Sequence, residues 1–214
     1  MLKIERFVCN MFGENTYVVS NEAQQCAIID CGALYDEERR AIVDYVEREQ
    51  LTPTLLLATH GHVDHNFGNA FVRKQYGIGV SLHADDEPLI TRLPQQAAAM
   101  VGMTWDDTAP VGQYLRNDDH IAFGHYTFDV IHTPGHTPGG VVYYCASAGV
   151  AFTGDTLFNM SVGRTDFPGG SWEQLQTALQ TLKQRLAPET QLLTGHGNAT
   201  TMAYECAHNP YLKA

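Results

Sequence analysis

The chain has 214 residues, 44% of them apolar and 17% charged, a balance that suits one folded domain with its own core and excludes extended disorder. Thirteen Lys and Arg against 24 Asp and Glu leave a formal charge of −11, which sets nucleic acid and anionic membrane aside as partners. The five cysteines (Cys9, Cys26, Cys31, Cys145, Cys206) include no Cys-x-x-Cys pair. With no apolar signal stretch and no run near the roughly 20 residues of a membrane helix, they predict a reduced, cytoplasmic domain.

Thr16–Val19 and Ala27–Ile29 read as strands, being β-branched or aromatic and bounded by Asn and Gly. Asp36–Glu49 reads as a helix with acidic residues at its start and Ile42, Tyr45 and Val46 on one face. Behind Pro53, the run 54–58 has the continuous apolar character of a strand buried on both faces. A helix over Asn69–Tyr76 and a strand over Gly79–Leu82 follow. The stretch Pro94–Gln113 shows no clear period and is expected to be a surface excursion near the site. Strands resume at Tyr126–His132, Val141–Cys145 and Val150–Thr153. Ser171-Trp172-Glu173-Gln174 has the form of a capping box. Trp172, Leu175, Ala178, Leu179, Leu182 and Leu186 then make a helical stripe expected to face the core. Gln191–Thr194 reads as a last strand and Thr201–His208 as a short helix. No repeat, linker or change of composition divides the chain, so residues 1–214 are expected to form one α/β domain.

The chemistry is concentrated at Thr59-His60-Gly61-His62-Val63-Asp64-His65, directly after the apolar run that ends at Ala58. Four metal-capable side chains within six residues at a strand end are hard to explain as packing, and such loops carry function in α/β folds. His136, Asp155 and His196 recur on later strand-end loops, each next to a glycine that permits close backbone approach. Five histidines and two aspartates are the donor inventory of a two-metal site. Two cations about 4 Å apart lower the pKa of bound water and polarise a carbonyl.

The order Thr-His-x-His-x-Asp-His, Gly-His, Gly-Asp, Gly-His resembles the metallo-β-lactamase superfamily, with matching landmarks from about Asn15 to Gly197. Within it the chain is most similar to the glyoxalase II (hydroxyacylglutathione hydrolase) group. It ends 18 residues after His196, so it resembles the short bacterial form that lacks the C-terminal helical domain holding glutathione. The resemblance implies an αβ/βα four-layer sandwich. It implies that His60, His62 and His136 hold one metal, that Asp64, His65 and His196 hold the other, and that Asp155 bridges them; Asp64 is also taken as catalytic. The ions are expected to be two divalent metals, zinc foremost, with iron or manganese as alternatives. The implied reaction is hydrolysis of S-D-lactoylglutathione or a related small-molecule hydroxyacyl thioester by a monomeric protein.

A thiolate leaving group needs little help from a general acid, so the absence of an obvious dedicated acid favours a thioester over an amide. The rival reading is a persulfide dioxygenase with one iron on His62 or its neighbour, His136 and Asp155; lactonase, phosphodiesterase or β-lactamase-like hydrolysis and a non-catalytic zinc module are further alternatives. Asp30 is expected to hydrogen-bond a ligand rather than bind metal. His132 is assigned to the scaffold of the His136 loop, and His83 is a candidate for lining the cleft. His120, His125 and His208 are expected at the surface. Arg164, in the loop 163–170, is a candidate for a substrate carboxylate, with pairing to Asp166 as the alternative.

Overall fold

Residues 1–213 are described by the computed structural model. Six strands form a first sheet in chain order: β1 (Lys3–Cys9), β2 (Glu14–Ser20), β3 (Gln25–Ile29), β4 (Thr52–Leu57), β5 (Val80–His83) and β6 (Gln113–Leu115). The first three are antiparallel and β3 to β6 run parallel. Helices α1 (Asp36–Arg48), α2 (Asn69–Tyr76), α3 (Glu87–Ile90) and α4 (Leu93–Val101) lie between these strands. The second sheet uses β7 (His120–Phe123), β8 (Tyr126–His132), β9 (Val141–Cys145), β10 (Val150–Gly154), β13 (Gln191–Thr194) and β14 (Thr200–Thr201), in the order β14-β13-β10-β9-β8-β7. A small hairpin of β11 (Leu157–Phe158) and β12 (Ser161–Val162), then helix α5 (Trp172–Arg185), separate β10 from β13; α6 (Met202–His208) follows β14.

Strand alternation explains the layers. Tyr17 and Val19 point to the core between the sheets, where they meet Phe128, Val130, Tyr143 and Phe152, whereas Val18 points the other way. Ile28 and Leu56 join Val18 on that outer face, packing against Ile42 and Val46 of α1 and Val72 of α2. On the far side, Val142, Ala151 and Leu192 pack against Leu175, Leu179 and Leu182 of α5. The result is helix, sheet, sheet, helix: the metallo-β-lactamase fold, with strands buried on both faces.

Several expectations change. The stretch Pro94–Gln113 lies largely at the surface and touches the site turn through Gln96, but it is more regular than its lack of period suggests: Pro94 sits in the first turn of α4, where a missing N–H costs nothing, Ala97 is buried, and Trp105 packs edge-on against Phe67. The segment then ends in β6, a strand of the first sheet. Only Leu56 and Leu57 of β4 are fully buried, because Thr52 and Thr54 remain exposed at its start. Pro53 cannot donate to the ladder, and the β3–β4 register shifts beside it. Trp172 is 41% exposed and packs on Tyr211 rather than in the core. No helix is long and apolar enough to cross a membrane among the described residues.

Candidate metal centre

All seven ligand-type side chains gather at one end of the sandwich. His60, His62, Asp64 and His65 follow β4 of the first sheet; His136, Asp155 and His196 follow β8, β10 and β13 of the second. The first turn is closed from within, since Asn66 Nδ2 donates to the carbonyls of His60 (3.0 Å) and His62 (2.6 Å). The residue Gly195 is required for close approach: a Cβ there would lie 2.8 Å from His65 Cε1 and collide with Asp155 Oδ1.

Two trios result. Donor atoms of His60, His62 and His136 lie within 4.8 Å of one another, as do those of Asp64, His65 and His196. Asp155 lies between them, with Oδ2 3.5 Å from His136 Nε2 and 3.6 Å from His196 Nε2, and Oδ1 3.3 Å from His65 Nε2. His62 Nδ1 faces His136 Nε2 at 2.9 Å. His196 Nε2 is 3.3 Å from Asp64 Oδ2.

The outer hydrogen bonds orient these rings. His136 Nδ1 donates to the Arg164 carbonyl at 2.7 Å and His196 Nδ1 to the Phe12 carbonyl at 3.2 Å. His65 Nδ1 donates to Asp30 Oδ2 at 3.2 Å. Thr59 Oγ1 donates to Asp30 Oδ2 at 2.7 Å and so accepts from His60 Nδ1 at 3.0 Å. This network assigns the tautomers and leaves the Nε2 lone pairs of His60, His65, His136 and His196 turned inward. His60 Nε2 and Asp155 Oδ1 are buried with no hydrogen-bond partner. Converging lone pairs and carboxylates with nothing to donate to them fit divalent cations in both trios.

Charge tells the same story. Burial opposes ionisation of Asp155 and Asp64, but the surrounding histidines outweigh it and hold both carboxyls below their ordinary range. Burial likewise opposes protonation of His65 and His196, yet Asp155 and Asp64 raise both. His60 and His62 face other imidazoles instead; burial and those neighbours lower them, His62 to about 4. The centre favours added positive charge.

Asp30 is buried at φ +51°, accepting from Thr59 N at 2.6 Å as well as from the two side chains above. His83 does not join the seven residues: it stacks on His132 at 4.0 Å and groups with Asp85. His132 Nε2 donates to the Pro138 carbonyl at 2.8 Å. Arg164 is paired with Asp166 through two 2.6 Å bonds and lies over Phe167, whose ring is 5.6 Å from that of His62. His120 and His125 are exposed.

Two carboxylates escaped the sequence reading. Glu14 is fully buried, with Oε1 3.8 Å from His65 Nδ1, and burial pushes its carboxyl well above the ordinary range. Asp86 is also fully buried and accepts from Gly61 N, Thr137 Oγ1 and Gly139 N. Neither lies in a histidine-rich motif; the one signal was Asp86 following a strand end.

The family profile described as the metallo-beta-lactamase superfamily matches residues 10–196. The chain is 30% identical to the hydroxyacylglutathione hydrolase GloC of Haemophilus influenzae, over 100% of this chain and 99% of that one. Two solved structures, each 33% identical, are similar throughout. The BLEG-1 B3 metallo-beta-lactamase gives a TM-score of 0.91 with 99% of this chain and 100% of that one covered. TTHA1623 in a di-iron-bound form gives 0.86 with 97% and 100% covered.

Proposed function

The chain belongs to the metallo-beta-lactamase superfamily of metal-dependent hydrolases, and we propose that it hydrolyses small hydroxyacyl thioesters of the S-D-lactoylglutathione type at a centre of two divalent ions. The observation that carries this reading is the pair of inward-facing donor trios meeting at Asp155. His60, His62 and His136 would hold one ion, Asp64, His65 and His196 the other, and Asp155 would bridge them. Such ions supply Lewis acidity and acidify water near neutral pH.

The residues do the rest by holding and orienting. Asp30 fixes the Nε2 faces of His65 and His60, the second through Thr59. The Arg164 and Phe12 carbonyls do so for His136 and His196. With these Nδ1–H groups engaged, they are not proton donors for a leaving group. An amine departs poorly without one; a thiol of pKa about 8.5 departs as thiolate. That favours a thioester, in which water adds its oxygen to the acyl carbon while the C–S bond breaks. The relative named a hydroxyacylglutathione hydrolase supports the substrate class, and the di-iron neighbour leaves iron beside zinc as a candidate metal.

The test pairs metal analysis with hydrolysis of S-D-lactoylglutathione and a β-lactam by the same preparation. Two divalent ions per chain and chelator-sensitive thioester cleavage are expected. β-Lactam cleavage with an inert thioester would overturn the substrate class.

A further inference from the structure

The carboxylate of Asp86 stands at a junction between the two sheets. It leaves the turn after β5 of the first sheet and is wholly buried. Its Oδ2 accepts from Gly61 N at 2.7 Å and from Thr137 Oγ1 at 2.8 Å; its Oδ1 accepts from Gly139 N at 2.6 Å. Gly61 lies between His60 and His62 on the first-sheet turn, and Thr137 follows His136 on the loop after β8 of the second sheet. One side chain therefore joins the backbone between two ligands to the residue beside the third. The approach is close: a Cβ on Gly139 would lie 2.8 Å from both Asp86 Cβ and Cγ.

We propose that Asp86 is a positioning residue that sets the separation of the two loops carrying His60, His62 and His136, and thereby the affinity of that trio alone for its ion. The inference rests on the two-ion reading above. The other trio has supports that do not pass through Asp86: Asp30, which takes the His65 Nδ1–H and reaches His60 only through Thr59, and the Phe12 carbonyl on His196. An acidic side chain suits the task because an ionised carboxylate only accepts, and all three partners donate. An amide keeps the shape but turns an N–H₂ toward at least one donor, leaving a buried group unmatched. Gln96 of α4 supports the same turn, with Nε2 donating to the Gly61 carbonyl at 3.1 Å and Oε1 accepting from Val63 N at 3.1 Å.

The experiment is zinc titration of the full-length, chelator-treated protein against a competing indicator, resolving both dissociation constants. It uses wild type, Asp86→Asn, Thr137→Val and Thr137→Ser. In Asp86→Asn one constant should weaken by about 10–100-fold while the other stays within about twofold. Thr137→Val should weaken the same constant by a smaller factor, and Thr137→Ser, which keeps the hydroxyl, should restore it. Combined with His62→Ala the effect of Asp86→Asn should vanish, because that site is already lost; combined with His196→Ala it should add. Two constants unchanged, or both weakened alike, overturn the inference. If Asp86→Asn fails to fold, Thr137→Val decides by the same criterion. Fewer than two zinc ions on the wild type overturns the two-ion reading itself, a result visible before any variant is compared.

Discussion

The Nε2 atoms of His65 and His196 face each other at 3.2 Å while the Nδ1–H of each ring is engaged elsewhere, on Asp30 and on the Phe12 carbonyl. Two acceptors at that distance repel unless a proton or a metal ion lies near them. The neighbouring Asp64 and Asp155 raise the affinity for either. The relationship reaches from the first sheet to the second, so the final assembly of the centre follows docking of the two halves.

The first prediction separates the ligand proposed as shared from one proposed as unshared. Asp155 approaches His136, His65 and His196, so Asp155→Asn should weaken both ion affinities by at least about tenfold. His196→Ala should weaken one. Competition titration with metal analysis reads both, and a His196→Ala protein holding two ions at full affinity would refute the assignment.

The second prediction concerns pH and chelator-treated protein. His62 falls from 6.5 to about 4 on folding, so the unfolded chain binds the extra proton between those values. Stability should fall as pH drops across that window, by about 3 kcal/mol from this residue. His60 acts in the same direction. His65 and His196 are raised instead, so their stabilisation is present in full below about 6.5 and lost as pH climbs through their folded values. Urea denaturation across pH 4–9 should therefore show a maximum near the middle. A monotonic rise would contradict these environments. Added zinc should sharpen the acid limb, because protons then compete with the ion for the same nitrogens.

A third prediction follows from where α5 meets the core. Leu179 is fully buried between α5 and the second sheet, so Leu179→Ala should cost about 2–5 kcal/mol. Trp172 belongs to the same helical period but is half-exposed against Tyr211, and Trp172→Ala should cost less than about 1.5 kcal/mol. Equal losses in chemical denaturation would show that Trp172 packs more deeply than its position indicates.

That contrast also shows what the sequence could express. The seven ligand-type residues were legible because metal-binding residue types crowd loops that directly follow apolar strands, a local pattern. Tyr17, Ile28 and Leu57 were legible as strand residues for the same reason. Trp172 was not, because a 3.6-residue stripe does not say where the sheet beneath it ends. Helix α4 was obscured by Pro94, which breaks a helix interior yet opens a first turn. Its two fully buried residues, Leu93 and Ala97, gave too short a stripe to read. Glu14 and Asp86 were missed for a different reason: an acidic residue reads as a surface residue, the strand end before Asp86 is a weak signal, and only the fold reveals that donors 25 to 53 residues away in sequence surround Asp86.

The last prediction concerns the thiol half of the substrate. The donor trios would act on the acyl carbonyl, and nothing in that chemistry requires glutathione. The one basic side chain offered by the 163–170 loop, Arg164, is already bound by Asp166 in a fork of two 2.6 Å bonds. That pair uses one edge of an exposed guanidinium and offsets part of its charge, so a substrate carboxylate on the remaining edge gains little. Remote groups that make no net contact contribute no binding energy to the transition state. Lactoylglutathione should therefore be hydrolysed with weak saturation, and a truncated thioester carrying the same acyl group should retain kcat/KM within about tenfold, or about 1.4 kcal/mol. Asp166→Asn weakens the competitor for Arg164, so it should lower KM for the glutathione ester and leave the truncated ester unaffected. Steady-state kinetics on both esters with both proteins decides the matter. A loss of about a thousandfold on truncation, roughly 4 kcal/mol, would mean that a tight glutathione subsite exists despite the engaged arginine.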